Sequence, residues 1–122
     1  MSLTYSYKIR SFFNASHAVR WEKGVGKQHT HTWEVICELN SSAGETVVFK
    51  KIEDVLHDVF QPFSGKFLND LPYFQEINPT VENVTVWLSQ LLTSAFQPLG
   101  VRLIRIEVGE SPTRSYCIKI SD

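Results

Sequence analysis

Two long stretches near the start of the chain alternate in polarity residue by residue. That period of two restricts this region to paired strands with one covered face. Tyr5, Tyr7, Ile9, Ser11, Phe13, Ala15 and His17 occupy alternate positions, so they share one side of an extended strand. A second alternation sets His29, His31, Trp33, Val35, Cys37 and Leu39 on one face, against Thr30, Thr32, Glu34, Ile36 and Glu38 on the other. Residues 18–28, which carry two glycines, read as a loop or wide bulge between the strands, and residues 40–44 as a turn.

The period then changes. Ile52, Val55, Leu56, Val59 and Phe60 recur at helical spacing, and Pro62 ends that helix. Residues 63–78 form a connector of mixed character. Thr80 follows Pro79 and is placed to cap a second helix, with Glu82 in the first turn where the dipole favours a carboxylate. Val84, Trp87, Leu88, Leu91, Leu92 and Ala95 make its apolar stripe, closed by Pro98 and Gly100. Two more strands are expected at about 102–108 and 115–120, joined by a turn containing Gly109 and Pro112. The order ββααββ predicts an α+β domain spanning 1–122, a four-stranded antiparallel sheet with both helices on one face. Such a sheet has two open edges, and pairing them with neighbouring subunits is one way to hide them, so a homo-oligomer is expected.

Composition excludes several classes of partner. At 122 residues the chain has room for one core, and 43% apolar content is enough to fill it. Twelve basic residues against thirteen acidic ones leave a net charge of -1 with no basic run, which argues against nucleic acid. No apolar stretch reaches the length of a membrane span. Residues 1–10 lack the apolar core of a signal peptide, so a cytoplasmic protein is expected. Cys37 and Cys117 both lie in strand-like stretches and are expected to be free, buried thiols.

The histidines carry the chemistry. His29 and His31 stand two apart and project from one face, while His17 ends the first strand, where antiparallel pairing brings it opposite them. Three neutral imidazoles around one zinc ion leave a fourth position open, the arrangement of a working site. An H-x-H pair alone also fits ordinary hydrogen-bonded histidines. His57, on the first helix beside Asp54 and Asp58, reads as a solvated residue.

A wider pattern frames these residues. Phe13, Asn14, Ala15, Ser16 and His17 are followed by His29, Thr30, His31, Thr32 and Trp33. Leu71, Pro72, Tyr73 and Phe74 come next, then Pro79, Thr80, Val81, Glu82 and Asn83, and finally Val108, Gly109 and Glu110. In this order they resemble the 6-pyruvoyltetrahydropterin and 6-carboxytetrahydropterin synthase family. The resemblance implies the tunnelling fold (T-fold), zinc as cofactor on His17, His29 and His31, and a hexamer of two stacked trimers. It implies a reduced pterin such as 7,8-dihydroneopterin triphosphate as ligand, with Glu110 gripping its guanidine-like edge. A carboxylate suits that role by accepting two parallel hydrogen bonds. Thr80 would line the same pocket, although a helix cap also accounts for it.

The chain departs from this family's pattern where protons are moved. The position of the family's catalytic cysteine, four residues before the paired histidines, is Val25, and its Asp-His pair corresponds to Ser64 and Gly65. Thr30 stands in place of a glycine, and an acidic residue near Val48 is missing. Valine, serine and glycine cannot relay protons as Cys, His and Asp do. Glu22, in the loop before His29, is the candidate replacement base. Two readings follow: a zinc-dependent pterin lyase, or a zinc- and pterin-binding homologue without the standard reaction. A third is a structural oligomer tied together by zinc.

Overall fold

The computed structural model describes residues 1–41 and 44–121. Strand β1 (Tyr7–His17) runs antiparallel to β4 (His29–Ser41) without a break in register, from Tyr7 opposite Leu39 to His17 opposite His29. Helices α1 (Phe49–Phe60) and α2 (Val81–Phe96) follow, then β5 (Val101–Ser111) and β6 (Arg114–Lys119). The sheet order is β1-β4-β5-β6, all antiparallel. The expected α+β architecture is the one observed.

The two faces of the sheet have different fates. Trp33, Val35, Cys37 and Leu39 of β4 are fully buried, as are Leu103, Ile106 and Val108 of β5. Against them pack Ile52, Leu56 and Phe60 of α1 with Val84, Leu88, Leu92 and Phe96 of α2. Burying such a side chain contributes about 1.5–3 kcal/mol, so this one interface outweighs the surface ion pairs. Across the opposite face run rows set by the register: Lys8, Glu38, Arg105 and Lys119; Arg10, Ile36, Glu107 and Cys117. Arg10 pairs with Glu34 at 3.2 Å and Arg105 with Glu107 at 3.4 Å, while Phe12 is 55% exposed. Among the described residues no element covers this face, and β1 and β6 are the edge strands, β1 meeting only an isolated bridge from Ser16 to Phe67.

Local signals set the ends of the elements. The chain leaves α1 before Pro62, and Gly100, at φ +67°, supplies the left-handed turn into β5. The Thr80 hydroxyl accepts the Asn83 backbone N–H at 3.2 Å, capping α2.

Four expectations are corrected. Residues 18–28 are not an open loop: they contain a small hairpin, β2 (Arg20–Trp21) and β3 (Gly24–Val25). The turn expected at 40–44 begins later, because β4 continues to Ser41; positions 42 and 43 lie outside the described residues. Gly109 belongs to β5, not to the following turn. Both thiols are free, but only Cys37 is buried; Cys117 is exposed on the uncovered face, so the two lie on opposite sides of the sheet. Burial pushes the Cys37 thiol up to about 12, which leaves it inert. Among the described residues no helix is long and apolar enough to cross a membrane.

The cap on α2 can be tested alone. Thr80→Ala is expected to lower unfolding free energy by about 1 kcal/mol and Thr80→Ser by far less, measured by urea denaturation. Equal effects of the two substitutions would show that the methyl group, not the hydroxyl, is what matters.

Candidate metal centre

Strands β1, β4 and β5 converge at one end of the sheet, where the helix-covered core runs out. His17 ends β1 and is 3% exposed. Its Nδ1 lies 2.7 Å from the carbonyl oxygen of Pro79. A carbonyl only accepts, so Nδ1 carries a proton and Nε2 is turned the other way. A backbone or carboxylate acceptor behind a histidine is the usual way a metal-ligating ring is fixed in tautomer and orientation.

Nε2 of His17 looks towards His31 and Glu110. The rings of His17 and His31 meet edge to face with centroids 4.9 Å apart, and Glu110 Oε2 lies 3.6 Å from His17 Nε2. One ligand atom from each of His17, His31 and Glu110 falls within 4.8 Å of the others. His29 is opposite His17 in the strand register but exposed, with its ring centroid 6.1 Å from that of His31. Of the three histidines singled out by sequence, the structure thus gathers two and leaves the third beside them.

The floor of the site is Trp33, fully buried, with its ring 5.1 Å from His17 and 5.7 Å from His31. Its indole N–H donates to the Ala15 carbonyl at 3.1 Å, which fixes the plane on which both imidazoles rest. Partial burial, and then the neighbouring His17, hold the His31 ring below the ordinary value of 6.5, against an opposing pull from Glu110. Neutral His31 can offer a lone pair.

Glu110 reaches this point through a bulge. Gly109 faces Ser115 and Ser111 faces Arg114, leaving Glu110 as an extra residue on β5. Bulges of this kind re-aim a side chain at the rim of a sheet. A Cβ on Gly109 would stand 3.2 Å from the Arg114 carbonyl oxygen, tight enough to favour glycine there. A cleft of about 570 Å³ adjoins the site, walled by Phe12, Thr30, Thr32 and Glu34 with His31 and Glu110.

The other residues singled out by sequence are placed differently. The Thr80 hydroxyl is engaged as the cap of α2, one residue past the carbonyl that holds His17. Glu22 is exposed in the turn of the β2–β3 hairpin, and Val25 is 60% exposed in β3. Ser64 and Gly65 form the turn after α1. Gly65 adopts φ +78° and donates its N–H to the Asn14 carbonyl at 2.6 Å.

Sequence reasoning missed the supports. The Asn69 side chain accepts from the Ala18 N–H at 2.9 Å and donates to the Ala18 carbonyl at 2.8 Å. Asn78 grips Arg20 in the same two-handed way, at 2.8 and 2.6 Å. Together they pin the chain just after His17. Asparagines flanking a connector carry no periodic signal, and a backbone acceptor such as the Pro79 carbonyl has none at all.

Comparison with known proteins places the fold. A family model described as 6-pyruvoyl tetrahydropterin synthase matches residues 6–120. The Caenorhabditis elegans 6-pyruvoyl tetrahydropterin synthase is similar at 20% identity and TM-score 0.79, over 96% of both chains. A Plasmodium vivax 6-pyruvoyltetrahydropterin synthase, carrying alanine for a catalytic glutamate, matches at 15% identity and TM-score 0.73 over 95% of this chain and 98% of that one. An uncharacterized protein of Wolinella succinogenes matches at 18% identity and TM-score 0.69, over 97% of this chain and all of its own. No curated protein sequence matches. These likenesses establish the tunnelling fold, and with the family model spanning nearly the whole length, the chain belongs to the 6-pyruvoyl tetrahydropterin synthase family.

Proposed function

We propose that this protein binds zinc through His17, His31 and His29 and takes a reduced pterin in the adjoining cleft, with little of the standard synthase turnover. The observation that carries the reading is the His17 ring. It is buried, locked by Pro79 with Nε2 inward, and faced by a second imidazole and a carboxylate. Nitrogen and carboxylate donors in this combination suit zinc. His29 needs only a change of side-chain rotamer to join, since its backbone already lies opposite His17.

Bound there, zinc would supply a Lewis acid to polarise oxygens of the pterin side chain. The chain's own residues do the rest. Glu110 would orient the ring through paired hydrogen bonds from its guanidine-like edge, Phe12 gives the cleft an apolar wall, and Trp33 keeps the imidazoles in place. What is missing is a strong proton shuttle, with Val25, Ser64 and Gly65 where the family resemblance expects one. In the malarial relative a glutamate is the catalytic residue. The one carboxylate between His17 and His29 in this chain is Glu22, which we assign as the residual base. The uncovered face of the sheet and the open edges β1 and β6 support assembly into trimers and a hexamer.

Four outcomes are expected. Elemental analysis should find one zinc per chain, with affinity falling as pH drops below about 6.5, where protons compete for the imidazoles. The metal-free protein should lose stability over the same range: His31 is held below 6.5, so the unfolded chain binds more protons than the folded one as pH falls. A chain that takes up no metal at any pH would overturn the zinc assignment. Zinc-loaded protein should bind 7,8-dihydroneopterin triphosphate, yet release its side chain at least about a hundredfold more slowly than a relative with an intact proton relay, followed by chromatography. Absence of binding would sink the pterin assignment, and ordinary turnover the inference from Val25, Ser64 and Gly65. Glu22→Gln should abolish the residual turnover while zinc and pterin binding persist; unchanged turnover removes Glu22 as the base.

A further inference from the structure

We propose that Glu110 is a resident ligand of the metal and that a reduced pterin must draw this carboxylate off the metal in order to bind. The proposal rests on the zinc and pterin reading above and adds a gate to it. The starting point is a distance. Glu110 Oε2 and His17 Nε2 stand 3.6 Å apart, longer than a hydrogen bond. Two ligands about 2.0–2.1 Å from one tetrahedral ion are themselves about 3.3 Å apart, so the spacing suits atoms that share a metal.

The chemistry of the pair points the same way. The Pro79 carbonyl accepts from Nδ1 of His17, so Nε2 is the ring nitrogen turned towards the carboxylate oxygen. Both atoms sit where His17 is 3% exposed, so an ion held between them would be largely shielded from water. The Glu110 carboxylate has no hydrogen bond or ion pair with any other described residue. His31 contributes a further ligand atom within 4.8 Å of both. The bulge at Gly109 and Glu110 therefore supplies the site with a carboxylate arm, while His29 stands at its outer edge.

A carboxylate that accepts two parallel N–H bonds from a guanidine-like edge cannot also hold a metal with the same lone pairs. The two uses of Glu110 exclude one another. Without ligand, the metal is closed by protein groups; when a pterin captures Glu110, a coordination position opens beside the pterin's own side chain. Water would gain that position only while the cleft is occupied.

Cobalt(II) in place of zinc makes the coordination visible. The wild-type cobalt protein is expected to show the visible absorption of a four-coordinate site, and a reduced pterin to shift it towards the spectrum of Glu110→Gln without pterin. In chelator competition, Glu110→Gln should hold zinc at least about tenfold more weakly than wild type, and Glu110→Asp should fall between them. Equal zinc affinity in Glu110→Gln, or a wild-type cobalt spectrum that a bound pterin leaves unchanged, would overturn the proposal. The second measurement uses the unaltered chain, so it decides even if the variant fails to fold. Zinc bound normally with Glu110 irrelevant to it leaves the proposed function standing; failure to bind zinc at all brings down both.

Discussion

The bond from His17 Nδ1 to the Pro79 carbonyl, 2.7 Å long, ties the end of β1 to the start of α2. Much of the site depends on it, because it joins two parts of the chain that hydrophobic burial alone would leave free to slide. On one side stands the helix cap, with Asn83 donating its backbone N–H to Thr80 and its side-chain amide to the Asn78 carbonyl at 2.9 Å. On the other stands the hairpin after His17, held by the paired bonds of Asn69 and Asn78. Arg20 adds its guanidinium to the carbonyls of Phe74 and Ile77 at 2.5 and 2.6 Å. Residues 78–80 thus fix a ring, a helix and a hairpin from three consecutive positions, and polar groups withdrawn from water satisfy one another.

This frame explains how the sheet can serve two purposes at once. Its covered face is filled by helix side chains from Leu39 to Trp33, and at Trp33 the filling stops. The next inward positions are His31 and, on the neighbouring strands, His17 and Glu110, polar groups placed where the apolar core ends. The packed Trp33 floor gives these side chains a fixed base, and the cleft beside His31 and Glu110 opens towards the uncovered face. On the uncovered face Arg10 pairs with Glu34 across β1 and β4 and Arg105 with Glu107 along β5, and surface pairs of this kind contribute at most about 1 kcal/mol each. They keep the face wettable without fixing the fold.

Much of the fold was legible because it is written in periodicity. A switch from a period of two to a helical period and back determines ββααββ, and the same alternation put His17, His29 and His31 on one side of their strands. The hairpin at 20–25 was hidden because two-residue strands are too short to show any alternation. Gly109 was misread as a turn because a bulge spends its glycine within the strand, where close carbonyls rather than a reversal demand it. Periodicity placed the imidazoles on a face but not in a cluster: rotamers decide that His31 meets His17 while His29 stands apart, and rotamers leave no trace in spacing.

Gly65 shows why the unusual residues of this chain are not simple vacancies. The family resemblance sets a histidine at this position, yet the backbone here is left-handed, a conformation that costs a side-chain-bearing residue about 1–2 kcal/mol. The turn it allows lets Gly65 donate to Asn14, Ser16 donate to the Lys66 carbonyl at 3.0 Å, and Phe67 lie beside Ser16. Those contacts brace β1 in the residues leading to His17, the buried ring of the candidate site. A histidine placed at 65 would have to keep that strained turn or release the strand that carries His17. In its present form the sequence commits this segment to holding His17 still.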